Sequence, residues 1–187
     1  MVALLLAVGG TVALIPSISD SRQERAAAED QSRAAAHEAR IRELEAQQRP
    51  VSGRARSTAG QGSEQARLES RAAARADLVA AIAADARSRV QSGTLSGRIR
   101  RVDCERFPRT VGGTDPAEQL SERRGRYACV AVTGEFERTD ESVGGTLGHP
   151  YRAMIDFETG RYAFCKIAGR TDPTQNNEVT TPRACGG

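Results

Sequence analysis

Four patterns of apolar and polar positions succeed one another along the chain. Residues 2–15 are apolar or glycine apart from Thr11, and no charged side chain occurs before Asp20. Residues 20–48 hold only Ile41 and Leu44 as large apolar side chains, among Ala, Arg, Glu and Gln. Residues 49–63, RPVSGRARSTAGQGS, show no period. From residue 64 onward an i, i+3, i+4 stripe gives way to period-two alternation, the signatures of a helix followed by strands.

The first pattern predicts an apolar helix at residues 1–19. A bilayer span takes ~20 apolar residues, and counting through Ile18 gives a marginal one. Ser17 and Ser19 offer a small-x-small cleavage site before Asp20, so the segment reads as a signal anchor or a signal peptide, with the anchor favoured. Arg22 and Arg25 follow the run instead of preceding it, the reverse of the usual order of charge. Either reading takes the chain out of the cytoplasm. It becomes a single-pass cell-membrane protein with its C-terminal part outside, or a secreted one if the segment is cleaved. Residues 20–48 are expected to form a helical stalk. There Arg25 with Glu29, and Glu29 with Arg33, stand at i, i+4. No heptad of large apolar residues is sustained, which leaves only a weak, alanine-faced self-association. Pro50 ends the stalk, and residues 49–63 read as a flexible linker.

Residues 64–187 carry the module. After Ser63, a good N-cap residue, Leu68, Ala72, Ala76, Leu78, Val79, Ile82, Ala83, Ala86 and Val90 fall near one helical face. Gly93 can then supply a left-handed helix end. Residues 97–107 are a candidate strand with Val102 and Cys104 on one face. In residues 123–137, Tyr127, Cys129, Ala131 and Thr133 alternate with Ala128, Val130 and Val132. Residues 151–167 predict a hairpin turning at Thr159-Gly160, which pairs Phe157 with Tyr162 and Ile155 with Phe164. Residues 108–125 and 138–150 have loop chemistry. The expected fold class is α+β: one amphipathic helix packed on a roughly four-stranded antiparallel sheet, preceded by the apolar helix and the stalk.

Composition sharpens this division. All seven aromatic residues, from Phe107 to Phe164, lie beyond residue 100, so the packed core belongs to the C-terminal half. Net charge is only +3 and the two signs are interleaved, which gives no support to nucleic-acid binding. Lys166 is the sole lysine, a bias better explained by genome composition than by selection for phosphate forks.

The cysteines Cys104, Cys129, Cys165 and Cys185 all fall in the module, without a C-x-x-C spacing or a neighbouring histidine pair. Zinc ligands usually come in such close pairs, so no metal is expected. An even count in a small exported domain points to disulfides. Three pairings are open. Strand order favours Cys104 with Cys129, and Cys165 with Cys185. A thiol enzyme would need a base beside a free cysteine, and His149 is the only histidine of the module. VGGTLGHPY lacks the Gly-Lys-Ser/Thr end of a phosphate loop, and no cofactor motif occurs. His149, Arg152 and Asp156 make the candidate binding surface, with Arg152 and Asp156 on one strand face where Glu158 can extend a small polar groove.

The segments GRIRRVDCERFPR, GRYACVAVT, GHPYRAMIDFETGRYAFCKIAG and TPRACGG together resemble membrane-anchored proteins of high-GC actinobacteria. Those proteins join an apolar N-terminus and an Ala/Arg-rich helical stretch to a small cysteine-bearing domain of no assigned activity. The resemblance implies location more than chemistry. The expected function is therefore a non-enzymatic, membrane-tethered module that binds an envelope protein or ligand. The alternatives are an envelope hydrolase or thiol enzyme using His149 with a free cysteine, and a self-associating envelope scaffold. Neither partner nor oligomeric state is legible.

Overall fold

The computed structural model describes residues 2–56, 62–136, 144–168 and 179–186, with side chains from residue 21 onward. The chain divides into two units, residues 1–43 and residues 44–187.

The first unit is most of helix α1 (Val2–Gln47). Every side chain from Ser21 to Arg40 is exposed, so no apolar face is buried there. Helix propensity holds this stretch, aided by surface pairs. Arg33 lies 3.7 Å from Glu29 and 3.2 Å from Asp30, and Arg40 lies 2.9 Å from Glu43. Such exposed pairs contribute at most ~1 kcal/mol each. A separate apolar helix followed by a stalk was expected; one helix, Val2–Gln47, runs through both, with Pro16 inside it contributing no amide donor. The anchor assigned to residues 1–19 lies outside the described side chains. Among the described residues no helix is long and apolar enough to cross a membrane.

The second unit is Leu44–Gly187. Its sheet has five strands, β1 (Val51–Arg54), β2 (Arg101–Arg106), β3 (Arg124–Phe136), β4 (Gly145–Asp156) and β5 (Arg161–Lys166). They run antiparallel in the order β1-β5-β4-β3-β2. Helix α2 (Glu64–Gln91) covers one face, and two short 3-10 turns complete the unit at Pro116–Glu118 and Arg183–Cys185.

The fifth strand corrects the expected four, and it comes from the stretch read as linker. Only Val51 among its four residues is a large apolar one, so period-two patterning has nothing to show. The strand is made by backbone pairing with the edge of β5. Gly53 belongs there for space: a Cβ would meet the Tyr162 ring at 2.5 Å. Residues 145–150, read as loop, are also strand, paired with β3 as far as Phe136 through a bulge between Val132 and Gly134. At Gly148 a Cβ would come within 2.4 Å of the Ala131 carbonyl, so this glycine marks close strand approach and not a turn.

The β4–β5 register differs from expectation by two residues, with Ile155 opposite Tyr162 and Ala153 opposite Phe164. Asp156 sets the wider turn, because its Oδ1 accepts from the Glu158 and Thr159 amides and the Thr159 hydroxyl. A slip of two keeps every side chain on its face, so Ile155, Phe157 and Phe164 are buried as predicted and Tyr162 packs against them.

α2 starts at Ser63, whose hydroxyl accepts from the Ala66 amide, and ends before Gly93 at φ 74°. Its buried stripe is Arg71, Ala74, Leu78, Ile82, Ala83 and Ala86. Ala72 and Ala76, placed on the core face by the sequence, are exposed. The stripe that packs against Tyr127, Tyr151, Ile155 and Phe157 admits an arginine at its first position.

Candidate functional site

The inner face of the sheet is spent on structure. Tyr127 donates to Asp115, which also lies 2.9 Å from Arg75 of α2. Tyr151 donates to Asp85, which holds Arg89 at 2.7 Å, and Arg89 in turn donates to the Gln47 carbonyl at the end of α1. Burial first, then the neighbouring carboxylates, raise both phenols well above their ordinary range. These hydroxyls are hydrogen-bonded struts between helix and sheet. His149 stands in the same layer, in the first half of β4, where its Nε2–H donates to the Ser96 carbonyl at 2.8 Å. It occupies a strand, not the glycine-rich loop expected of it.

All four cysteines are bonded. Cys104 and Cys129 are directly opposed on β2 and β3 with Cα atoms 4.0 Å apart, as close neighbours of a non-hydrogen-bonded pair are. Cys165 on β5 joins Cys185, and both are fully buried. That bond fastens the Arg183–Cys185 turn to the outer face, where Arg126 donates to the Gly186 carbonyl.

The rest of the outer face is rich in arginine. Arg152 lies 3.7 Å from the centre of the Phe107 ring, and Arg126 shares that ring at 5.4 Å. Burial, then the charge of Arg126, lower the pKa of Arg152. Asp156 is on this face too, but it pairs with Arg123 at 3.4 Å and Arg124 at 3.7 Å. The three residues of the candidate surface are thus divided: Arg152 and Asp156 point outward in separate contacts, and His149 points to the helix side. Glu158 joins the Asp156 end through Arg123, at 3.0 Å.

Beside Asp156 opens a groove of about 950 Å³, lined by Ser52, Arg54, Arg124, Met154, Asp156, Thr159, Arg161, Ala163 and Ala184. Arg54 is opposite Arg161, and Arg124 is opposite Asp156. The tight β4–β5 turn brings Asp156 next to Arg161. A single row therefore crosses four strands as Arg54, Arg161, Asp156 and Arg124. Sequence reasoning missed the three arginines, since only the strand register and the strand hidden in the linker align them.

Asp156 makes the groove's pH dependence testable. Burial opposes its ionisation, but hydrogen bonds from Thr159 and Glu158 and the charge of Arg123 outweigh it and hold the carboxyl below its ordinary value. A depressed folded pKa gives stability that is present above the unfolded value of ~3.9 and lost as pH falls through the folded one. Thermal melts between roughly pH 5 and pH 2 should fall more steeply for the native chain than for Asp156→Asn. Parallel curves would show that the carboxylate contributes nothing.

Comparison of the chain with protein-family models, curated proteins and solved structures finds no match. The functional reading therefore stands on the chemistry of these residues.

Proposed function

We propose that this protein is a membrane-tethered, extracytoplasmic binding or structural module without catalytic activity, of the kind found in actinobacterial envelope proteins. The N-terminal apolar segment serves as its anchor, α1 as its stalk, and the outer face of the sheet as its contact surface. The observation that carries the reading is the closure of every cysteine into two disulfides. Structural disulfides persist in oxidising compartments and are rare in the cytosol. The arginine groove adds to it, being an open concavity suited to a partner surface more than to an enclosed substrate. Tethering would supply the mechanism by raising the local concentration of the module near other envelope components.

Thiol alkylation of the native protein, read by mass, tests the reading together with cell fractionation. Four cysteines blocked until reductant is added, in a membrane-fraction protein cleaved by external protease, is the expected result. Freely alkylated cysteines in a soluble cytoplasmic protein would overturn it. The Cys165–Cys185 bond closes a loop with a sequence separation of 20. Replacing both residues by alanine should cost about 3 kcal/mol in urea unfolding. An unchanged midpoint would show that the tail needs no staple.

A further inference from the structure

The groove holds an electrostatic arrangement that the fold does not require. Arg54 and Arg161 face each other across β1 and β5, and both are exposed. Like charges directly opposed on neighbouring strands are destabilising. Among the described residues neither guanidinium has an ion-pair partner. The nearest carboxylate in the row, Asp156, is already engaged, by Oδ1 with the turn and by Oδ2 with Arg123 and Arg124. Two adjacent positive charges thus open unmatched into the groove.

We infer that this groove is the docking site for an acidic, extended peptide segment of a partner protein, whose carboxylates pair with Arg54 and Arg161. The inference rests on the binding-module reading and names the partner's chemistry. Charge complementarity calls for an anion, and guanidinium forks match carboxylates in bidentate fashion. Asp156 shows what this row accepts, since a carboxylate sits there beside Arg123 and Arg124. An extended peptide also suits the place, because β1 is an edge of the sheet, paired on one side only among the described residues. Added at that edge, a strand would lie ~4.8 Å from β1 and project alternate side chains onto the outer face beside Arg54.

Fluorescence anisotropy with the full-length protein tests this, using a short labelled peptide of alternating Glu and Thr, which puts its carboxylates on one face when extended. The Arg54→Gln/Arg161→Gln variant should weaken binding about tenfold or more, and added salt should weaken binding to the native chain. The control is Arg98→Gln/Arg100→Gln, an equal charge change in a second arginine-lined groove, beside Arg87. It should leave affinity within about twofold. The Arg54/Arg161 variant should melt no lower than the native chain, because it removes a repulsion. Equal losses in both variants, absence of peptide binding, or binding only to polyphosphate or phosphatidylglycerol vesicles would each overturn the proposal. A markedly lower melting temperature for the Arg54/Arg161 variant would do so too. None of these outcomes touches the alkylation and fractionation results, so failure of the groove and failure of the exported-module reading are separable.

Discussion

A chain that begins at Glu64 should be about 4 kcal/mol less stable than one that begins at Leu44, although both contain α2 and strands β2 to β5. Leu44 is 3% exposed and Ala55 is 3% exposed, so the shorter chain loses their burial outright. A buried leucine alone stabilises by ~2 kcal/mol. The backbone bonds between β1 and β5 disappear, and with them the cover that Gly53 gives to Tyr162. Arg89 loses its acceptor at Gln47, and Val179 loses the donor Gln48. Arg56 no longer holds Asp77 of α2. Urea denaturation of the two chains decides the matter. The shorter chain should show a lower midpoint and a smaller slope, because it buries less surface. Coincident curves would mean that the segment from 44 to 63 is an appendage, as its composition suggested.

That composition explains what could and could not be read. α2 and β3 were legible because burial on one face imposes a period on the side chains: Leu78, Ile82 and Ala86 in the helix, and Tyr127, Cys129 and Ala131 in the strand. β1 was not, because an edge strand of Val, Ser, Gly and Arg is specified by its partner's free backbone, which leaves no mark on side-chain order. Glycine misled in the same way at residues 145–148, where close strand approach and a turn favour the same residue. On the candidate surface, Arg152 and Asp156 followed from strand parity. The glycines before His149 give it the pattern of a loop residue, although it lies in β4. The Arg54–Arg161 pair joins positions far apart in sequence, and only the register of edge strand β1 on its neighbour β5 makes it visible.

Arg71 marks the other limit of pattern reading, and its replacement should be the most damaging single change in α2. It lies on the core stripe, only 3% exposed, with its guanidinium 4.2 Å from the centre of the Phe157 ring. One Nη2 donates to the carbonyls of Pro116 and Glu122, two points on the long β2–β3 connection. Burial lowers its pKa, yet arginine keeps its proton, so the charge is held inside by the ring and the two carbonyls. Arg71→Ala would leave a cavity over Phe157, strip the Glu122 carbonyl of its donor and leave the Pro116 carbonyl only the Gln119 amide. Cavity formation and an unsatisfied buried acceptor each cost one to several kcal/mol, which together give about 4 kcal/mol. Arg71→Met separates the two contributions, since it fills most of the space without donating. Its loss should be about half as large, with the connection at residues 116–122 becoming protease-sensitive while β3 to β5 stay protected from hydrogen exchange. If alanine and methionine are both tolerated without loss, Arg71 is a solvated side chain that happens to lie on the inner face, and the connection is held by the Tyr127–Asp115–Arg75 strut alone.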